Sequence, residues 1–402
     1  MQLFLLFVNV LCLMRSHADA FYHFFCCSLS TEHRGRLVTW SEIATNVGIL
    51  FGFLSGAIFI NLSENLAWRC MFAMGAILPA IMIFLVLLVM PESPRWLVSK
   101  GREEKAKGVL SQLYPPGYNV DLVVHDIKES IKREVAANQS FGWDMIFRPS
   151  PAFRRMLVVG ISAAVAQQLV GVDAVQYYLA FILEQAGIQS RGGQTTALCL
   201  LGVVKLIFIF VGGHFFDRKG RRPMFFISLV GCASSLLLLA ISYFGGGNSA
   251  LAIIGLCLYF AFFSLGIGPG SWLVPSEVFA LAIRAKAMSV ATFMNRAAAT
   301  LMSTTFLSTA NAIGYGGFFL LLAVCSILIV IFFYFFLPET KGRPLEEMSL
   351  YFAEITGDIL VLEAEARLKE RGTYTVEMSN SSRKNYGAAP SAESAADGHE
   401  IL

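Results

Sequence analysis

The sequence has little charge for its length. Charged residues make up 15% of the 402, whereas hydrophobic residues make up 56%. Such a composition is too apolar for a water-soluble protein with a surface of ordinary mixed polarity. The net charge of +3 is small, and the basic residues occupy short loops rather than one face, which argues against nucleic acid as a partner. The composition predicts a polytopic membrane protein in contact with the lipid bilayer.

The chain also lacks the residue sets that catalysis and metal binding need. It contains no Ser/His/Asp set, no phosphate-binding loop and no cluster of metal ligands. Its eight cysteines are scattered, mostly within apolar runs, and Cys26 and Cys27 beside His23 fall short of a tetrahedral ligand set. We therefore predict that the protein is not an enzyme, with no catalytic residues, and that it holds no metal or cofactor.

Long apolar runs, by contrast, are abundant. They recur at about 20 residues each, near the length at which an α-helix crosses about 30 Å of hydrocarbon. The runs do not alternate polar and apolar residues, which excludes a membrane β-barrel. Lys and Arg cluster in loops on one side, as the positive-inside rule requires. We predict an all-α fold with about eight spans at 38–62, 67–89, 157–179, 195–216, 223–244, 249–272, 288–310 and 315–337.

Polar stretches divide the chain into five parts. The first is either a signal peptide without its usual basic start or the remnant of a spanning helix. The last is poor in large apolar residues from about residue 370 and should be disordered there. The parts are an atypical N-terminal segment (1–30), a partial bundle of two helices (31–90), a cytoplasmic helical loop (91–155), a six-helix bundle (156–337) and a cytoplasmic tail (338–402).

Four ionisable side chains lie inside the apolar runs: Glu42, Asp173, Lys205 and Arg296. A charge at mid-bilayer costs about 3 kcal/mol or more, so such a residue usually faces a polar path. We predict substrate or coupling roles for Glu42 and Asp173. Lys205 and Arg296 form an intramembrane charge cluster, for which we favour a structural role. The alternative for Asp173 is that it belongs to this cluster, in which the three charges neutralise one another.

Three short motifs follow the ends of spans. Pro-Glu-Ser-Pro-Arg occupies residues 91–95, Asp-Arg-Lys-Gly-Arg-Arg occupies 217–222, and Pro-Glu-Thr-Lys-Gly-Arg occupies 338–343. The first and third close two groups of spans with the same signal, as in transporters built from internal repeats. In this order and around these spans, the motifs resemble those of the sugar porter family of the major facilitator superfamily, over about residues 31–352.

The resemblance implies which residues bind substrate. In that family the seventh of twelve helices binds sugar hydroxyls through a glutamine-rich stretch, which residues 167–178 match, except that Asp173 stands where most members have Asn. Amides suit hydroxyls because both donate and accept hydrogen bonds. Trp272 follows a glycine-rich break and resembles a ring-stacking residue of the tenth helix. The implied substrate-binding residues are Gln167, Gln168, Asp173, Tyr177, Trp272, Asn295 and Glu42.

The resemblance also implies a gating network of salt bridges on the cytoplasmic side, which holds the outward-open state in similar proteins. For the basic loop at residues 217–222, the simpler interpretation is a positive-inside anchor. The implied members are Arg34, Glu92, Arg95, Asp217, Arg218, Arg222, Glu277, Arg284 and Glu339.

The four intramembrane charges make the chain most similar to plant-type polyol and monosaccharide proton symporters. The implied function is secondary active uptake of a monosaccharide or polyol, with protons as the coupled ion. The expected location is the plasma membrane, with a vacuolar or plastid envelope as alternatives.

Aligned on the motifs, the eight spans correspond to helices five to twelve of the family, so the expected fold is an incomplete one of the major facilitator superfamily. Helices one to four are missing from the sequence, and with them the first-helix Asp and fourth-helix Arg thought to carry proton coupling in similar symporters. The alternative function is therefore a non-transporting fragment that binds sugar or regulates intact relatives.

Overall fold

The computed structural model describes residues 34–88, 91–114, 119–140, 143–246, 248–280, 283–340 and 345–358. The predictions for residues 1–30, including Cys26 and Cys27, and for the tail beyond residue 370 lie outside these ranges. Within them, regular secondary structure is exclusively helical.

Fifteen helices make up the described part of the chain. In order they are α1 (Arg34–Ile58), α2 (Glu64–Leu88), α3 (Pro94–Ser99), α4 (Glu103–Leu113), α5 (Val120–Ser140), α6 (Asp144–Phe147), α7 (Pro151–Leu169), α8 (Val172–Tyr177), α9 (Leu179–Gln185), α10 (Arg191–Lys219), α11 (Arg221–Phe244), α12 (Ser249–Leu265), α13 (Ile267–Val278), α14 (Arg284–Phe336) and α15 (Leu345–Thr356).

Each of the eight spans predicted from hydropathy overlaps a helix of the described residues. Among the described residues, five stretches are long and apolar enough to cross a membrane, namely Pro151–Tyr177, Arg191–Phe215, Arg221–Phe244, Ser249–Val278 and Arg284–Phe336. The shorter apolar helices Glu42–Ile58 and Asn65–Ile81 lie in α1 and α2. Gly314, at φ 77° and ψ 160°, divides the 53 residues of α14 in two, where the sequence places the gap between its last two spans. The predicted polytopic all-α fold is confirmed.

Glycines interrupt two of the spans at mid-length. Gly171 has φ +89° and separates α7 from α8. Gly266 separates α12 from α13, and the hydroxyl of Ser228 holds this break by donating to the Phe262 carbonyl (2.6 Å) and accepting from the Ile267 amide (2.9 Å). Each break leaves backbone polar groups without helical partners inside a span. Such backbone is tolerated at membrane depth where it lines a cavity, so we expect α8 and α13 to lie beside one.

Helices α7 to α14 pack around one apolar core. Helix α11 packs against α12 and α14, and α7 packs against α13 and α14. Phe306 stacks on Tyr178 with 4.5 Å between ring centroids, and Phe225 meets Phe333 edge to face at 5.1 Å. Helix α1 joins this bundle through α10 and α13, whereas α2 packs mainly on α1. Helices α10 and α13 are therefore the places where α1 and the larger bundle meet.

The short helices α3, α4 and α5 form a second, small core. Leu97, Ala106, Leu110 and Val124 are buried in it. The ion pairs on its surface include Lys107 to Asp121 and Lys128 to Glu103, each at 2.7 Å. Asp121 raises the pKa of the Lys107 ammonium through a hydrogen bond and its charge. Since exposed pairs contribute little stability, burial of the apolar residues holds these helices together.

Helix α15 returns to the start of α7. Met348, Phe352 and Ala353 are buried, and α15 packs against α7 and α13. The Asp358 carboxylate accepts a hydrogen bond at 3.3 Å from the backbone amide of Ala152, in the first turn of α7. A carboxylate there satisfies a free helix N–H and complements the helix dipole.

Candidate functional site

A cavity of about 720 Å³, including the part open to solvent, lies between α1 and the larger bundle. Helices α1, α7, α8, α10, α12, α13 and α14 all contribute to its wall. All four intramembrane charges identified in the sequence line it, although they come from four different helices. The lining residues are Glu42, Thr45, Asn46, Ile49, Gln167, Gln168, Val172, Asp173, Gln176, Tyr177, Lys205, Ile209, Phe263, Ser264, Gly268 and Arg296.

Three buried amides form a network in the cavity wall. Asn295 is fully buried, and its Nδ2 donates to the Ala164 carbonyl (2.6 Å) and to Gln167 Oε1 (3.1 Å). Its Oδ1 accepts from Gln168 Nε2 at 3.4 Å. Gln167 Nε2 donates to the carbonyl of Gly268, just beyond the glycine break, at 3.2 Å. The network fixes the orientation of both glutamines.

Gln168 Oε1 is the remaining amide oxygen of this network. It is buried and has no hydrogen-bond partner among the described residues. A buried acceptor without a partner is uncommon in proteins, because most buried polar atoms make at least one hydrogen bond. Here it leaves one acceptor in the cavity wall for a hydroxyl donor.

The charged pair in the cavity joins α8 to α14. Arg296 Nη1 lies 3.8 Å from Asp173 Oδ2, and both side chains are partly exposed to the cavity. Asp173 stands in the first turn of α8, directly after Gly171. The positive end of a helix dipole stabilises a carboxylate at that position. The Asp173 carboxylate thus has the Arg296 guanidinium near it and a helix N-terminus beneath it.

Lys205 has a different environment. Its ammonium donates to Gln176 Oε1 at 2.8 Å and lies 5.7 Å and 5.9 Å from the ring centroids of Phe260 and Phe263. The residue is 8% exposed. The amide and the aromatic faces both stabilise the buried cation. Gln176 is not among the residues predicted from the sequence, although it lies within the 167–178 stretch, because the resemblance singles out other positions there.

Replacing Gln176 with leucine should destabilise the protein by about 1–3 kcal/mol, because the buried ammonium of Lys205 loses a hydrogen-bond acceptor. Thermal unfolding of the purified protein in detergent measures the effect. Adding Lys205→Met to Gln176→Leu should recover most of the loss, since replacing both partners by apolar groups removes the buried charge. Additive losses in the double variant would contradict this coupling.

The remaining predicted substrate-binding residues divide into two groups. Glu42, 8% exposed, and the half-buried Tyr177 line the cavity. Asn295 lies behind the wall and acts on it through the two glutamines. Trp272 is half-buried on α13 and is not among the lining residues, so its role as a stacking surface stays a prediction.

At the end of the bundle where the resemblance implies the gating network, Glu339 binds the N-terminus of α11. Its Oε1 and Oε2 accept hydrogen bonds from the backbone amides of Arg221 and Arg222, each at 3.1 Å. Gly220, at φ +96°, makes the approach possible, because a Cβ there would lie 3.0 Å from Glu339 Oε2. Two N–H groups and the helix dipole together form an anion site for this carboxylate.

Glu277 makes the salt bridge next to it. Its Oε1 lies 3.0 Å from Arg221 Nη2 and accepts from Arg221 Nε at 3.1 Å, while Thr340 Oγ1 donates to its Oε2. The gating network predicted from the sequence contains Arg222 but not Arg221. Arg222 instead donates to the Tyr334 carbonyl at 3.0 Å. Arg221 and Arg222 have different partners because their side chains leave the start of α11 in different directions.

The other predicted gating residues fall into three groups. Arg284 donates to the Phe279 carbonyl at 3.3 Å, next to the Glu277 cluster. Glu92 is exposed and Arg95 is half-buried, both near the start of α3. The side chains of Arg34, Asp217 and Arg218 lie outside the described part of the structure.

A family model described as sugar (and other) transporter matches residues 28–352. The chain belongs to this family. Probable polyol transporter 4 of Arabidopsis thaliana is 37% identical over 326 residues, which cover 80% of this chain and 62% of that protein. The major myo-inositol transporter IolT of Bacillus subtilis is 35% identical over 327 residues, which cover 80% of this chain and 68% of that protein.

Solved structures give the same result for the fold. The proton:xylose symporter XylE, bound to 6-bromo-6-deoxy-D-glucose, matches with a TM-score of 0.68 and 27% identity, covering 82% of this chain and 70% of that one. An inward-open structure of XylE from E. coli matches with a TM-score of 0.67. The predicted major facilitator fold and multi-pass membrane character are confirmed. The chain spans 62% of the length of the Arabidopsis relative, in agreement with the prediction that it corresponds to part of a twelve-helix protein.

Proposed function

We propose that this member of the sugar transporter family takes up a monosaccharide or polyol by secondary active transport, with protons as the coupled ion. The observation that carries the proposal is the cavity whose wall holds the glutamine pair, Asp173 and Glu42 together.

The chemistry of the wall fits a polyhydroxylated, uncharged solute. A hydroxyl both donates and accepts hydrogen bonds, and side-chain amides match it in both roles. The carboxylates of Glu42 and Asp173 add acceptors, and hydrogen bonds to ionised acceptors are the stronger ones. The two acids and the two cations, Lys205 and Arg296, give the lining no formal net charge. An uncharged solute therefore enters without leaving a surplus of charge.

The relatives support the substrate class and the ion. Those cited above are named as transporters of polyols, of myo-inositol and of xylose, and XylE is described as a proton:xylose symporter. Glu42 and Asp173 are the acids available in the cavity for coupling. Glu42 lies in the wall that α1 supplies, and Asp173 lies in the wall of the larger bundle, 3.8 Å from Arg296.

Uptake into proteoliposomes containing the 402-residue chain tests the proposal. Labelled myo-inositol, sorbitol and xylose should accumulate when the outside is more acidic than the inside, and a protonophore should abolish accumulation. Gln167→Leu should reduce uptake at least tenfold, because it breaks two hydrogen bonds of the amide network. Thr292→Val, an exposed position on α14 whose hydroxyl donates only to its own helix, should leave uptake unchanged. Failure to move any of the three solutes, with or without the gradient, would refute transport.

A second candidate is a sugar-binding protein that does not transport by itself. It is favoured by the cavity wall, to which α1 contributes four residues and α2 none. Alternating access requires two bundles that rock against each other around the site. Here only α1 of the first two helices contributes to the wall, which leaves little of a second bundle. Binding of the same solutes without uptake, together with reduced uptake by a co-expressed intact relative, would decide for this candidate.

A further inference from the structure

Asn46 is a polar residue of the cavity wall to which no role has been assigned so far. Asn46 lies on α1 one helical turn after Glu42, lines the cavity and is 4% exposed. Its Nδ2 donates to the backbone carbonyl of Glu42 at 2.7 Å. This bond fixes which end of the amide is oxygen, because an oxygen in that place would face another oxygen. Asn46 Oδ1 is buried and has no hydrogen-bond partner among the described residues.

An orphaned acceptor in an apolar helix is a cost that folding alone does not explain. Asparagine is a poorer helix former than leucine, and a buried oxygen without a donor loses its hydration and gains nothing. Its one hydrogen bond goes to a carbonyl of its own helix and ties α1 to no neighbour. Leucine, of similar size, would avoid both penalties.

The same condition recurs on another wall of the same cavity. Gln168, on α7, is 2% exposed, its Nε2 is engaged by Asn295, and its Oε1 lacks a donor in the described residues. Two residues that line the same cavity, one on α1 and one in the larger bundle, thus each have a buried amide oxygen without a hydrogen-bond donor among the described residues.

We propose that Asn46 is a substrate-binding and specificity-determining residue, whose Oδ1 accepts one hydroxyl of the solute while Gln168 Oε1 accepts another. The inference rests on the proposed function, because it needs a solute with several hydroxyls. It extends that function by giving α1 an uncharged contact beside Glu42. The site then selects solutes that present two separate hydroxyl donors, one to each wall.

Binding to the full 402-residue chain in lipid nanodiscs tests the proposal, with myo-inositol and its monodeoxy analogues as probes in calorimetric titrations. Asn46→Leu should weaken the binding of myo-inositol about tenfold, while the thermal midpoint of the ligand-free protein stays the same or rises. A residue with a purely structural role would lower that midpoint. Asn46→Ala, which cannot overpack the wall, should weaken binding similarly.

The deoxy analogues identify the contact. One analogue should bind the wild type about tenfold more weakly than myo-inositol and show no further loss with Asn46→Leu, since both changes remove the same hydrogen bond. Ser55→Ala is the matched control: Ser55 is buried on the same helix, does not line the cavity, and donates to the Gly52 carbonyl at 2.7 Å. It should leave affinity unchanged.

The outcomes separate the two proposals. If the wild type binds myo-inositol but both Asn46 variants bind within twofold of it, or every analogue keeps its full penalty in the variants, the role of Asn46 is refuted and the proposed function stands. If the wild type binds none of myo-inositol, sorbitol and xylose, the proposed function is refuted and the role of Asn46 with it.

Discussion

Replacing Gly266 with alanine should destabilise the protein by about 3 kcal/mol or more, or prevent its folding. A Cβ at this position would lie 2.4 Å from the backbone oxygen of Met224 and 2.4 Å from Ser228 Cβ. Real contacts of this kind do not occur, and the obstacle is the backbone of α11, which has no rotamer to change. Relief requires α11 and the α12–α13 break to move apart, and overpacking that moves backbone is among the costliest core changes.

The matched control is Gly56→Ala on α1. A Cβ at Gly56 would meet no other atom within 4 Å, and the residue lies inside a regular helix. Alanine is the better helix former by about 1 kcal/mol, so this variant should be as stable as the wild type or slightly more so. Thermal unfolding in detergent, followed by size-exclusion chromatography, compares the two. Equal stability of Gly266→Ala and Gly56→Ala would contradict the packing that the structure shows at the break.

The break matters beyond stability because it supplies part of the cavity. Gly268 follows it by two residues, lines the cavity and accepts the hydrogen bond of Gln167 Nε2. Because Gly268 stands in the first turn of α13, the direction that α13 takes after the break decides where this carbonyl meets Gln167. Any Gly266→Ala protein that does fold should therefore also bind substrate more weakly.

Much of this architecture follows from the sequence. Hydropathy places the eight spans, and the glycine cluster at residues 266–270 indicates the break before the structure shows it. Buried charge is equally informative: Glu42, Asp173, Lys205 and Arg296 stand out because the bilayer penalises them, and all four converge on the cavity. Both signals are strong because they depend only on transfer free energies.

The contacts between side chains are less predictable. In the sequence, Gln176 differs from its apolar neighbours only in being polar, which does not indicate its partner. The contact with Lys205 of α10 depends on how the helices pack. Arg221 and Arg222 are the same residue type side by side, and the helix phase at Gly220 decides which of them reaches Glu277. Asn46 was missed because asparagine in a span is less conspicuous than a charge. In each case, the deciding quantity is an angle about a helix axis, set by packing of the whole bundle.

Replacing Asn295 with leucine should have the largest effect on the binding of substrate. The side chain is fully buried and makes three hydrogen bonds, to the Ala164 carbonyl, Gln167 Oε1 and Gln168 Nε2. Leucine is of similar size, so it opens no large cavity, but it leaves polar atoms of both glutamines without partners. Each orphaned group costs about 1–3 kcal/mol. We expect a fall in thermal stability and a loss of affinity for myo-inositol of at least tenfold.

The control for this variant is Thr300→Val, further along α14. Thr300 is exposed, and its hydroxyl donates to the Arg296 carbonyl of its own helix. Its replacement should change neither affinity nor stability. If Asn295→Leu also binds like the wild type, the glutamines do not need the network to be positioned.

Asn295 and Asn46 then form a contrasting pair, because both are buried amides and leucine should weaken binding at each. The Asn295 amide is satisfied by the protein, so its loss lowers the stability of the ligand-free state. The oxygen of Asn46 has no donor among the described residues, so its loss leaves that state as stable or more so. The thermal midpoints of Asn295→Leu and Asn46→Leu without ligand therefore distinguish an amide that positions other residues of the site from one that binds the substrate directly. Equal losses of stability would place Asn46 among the structural residues.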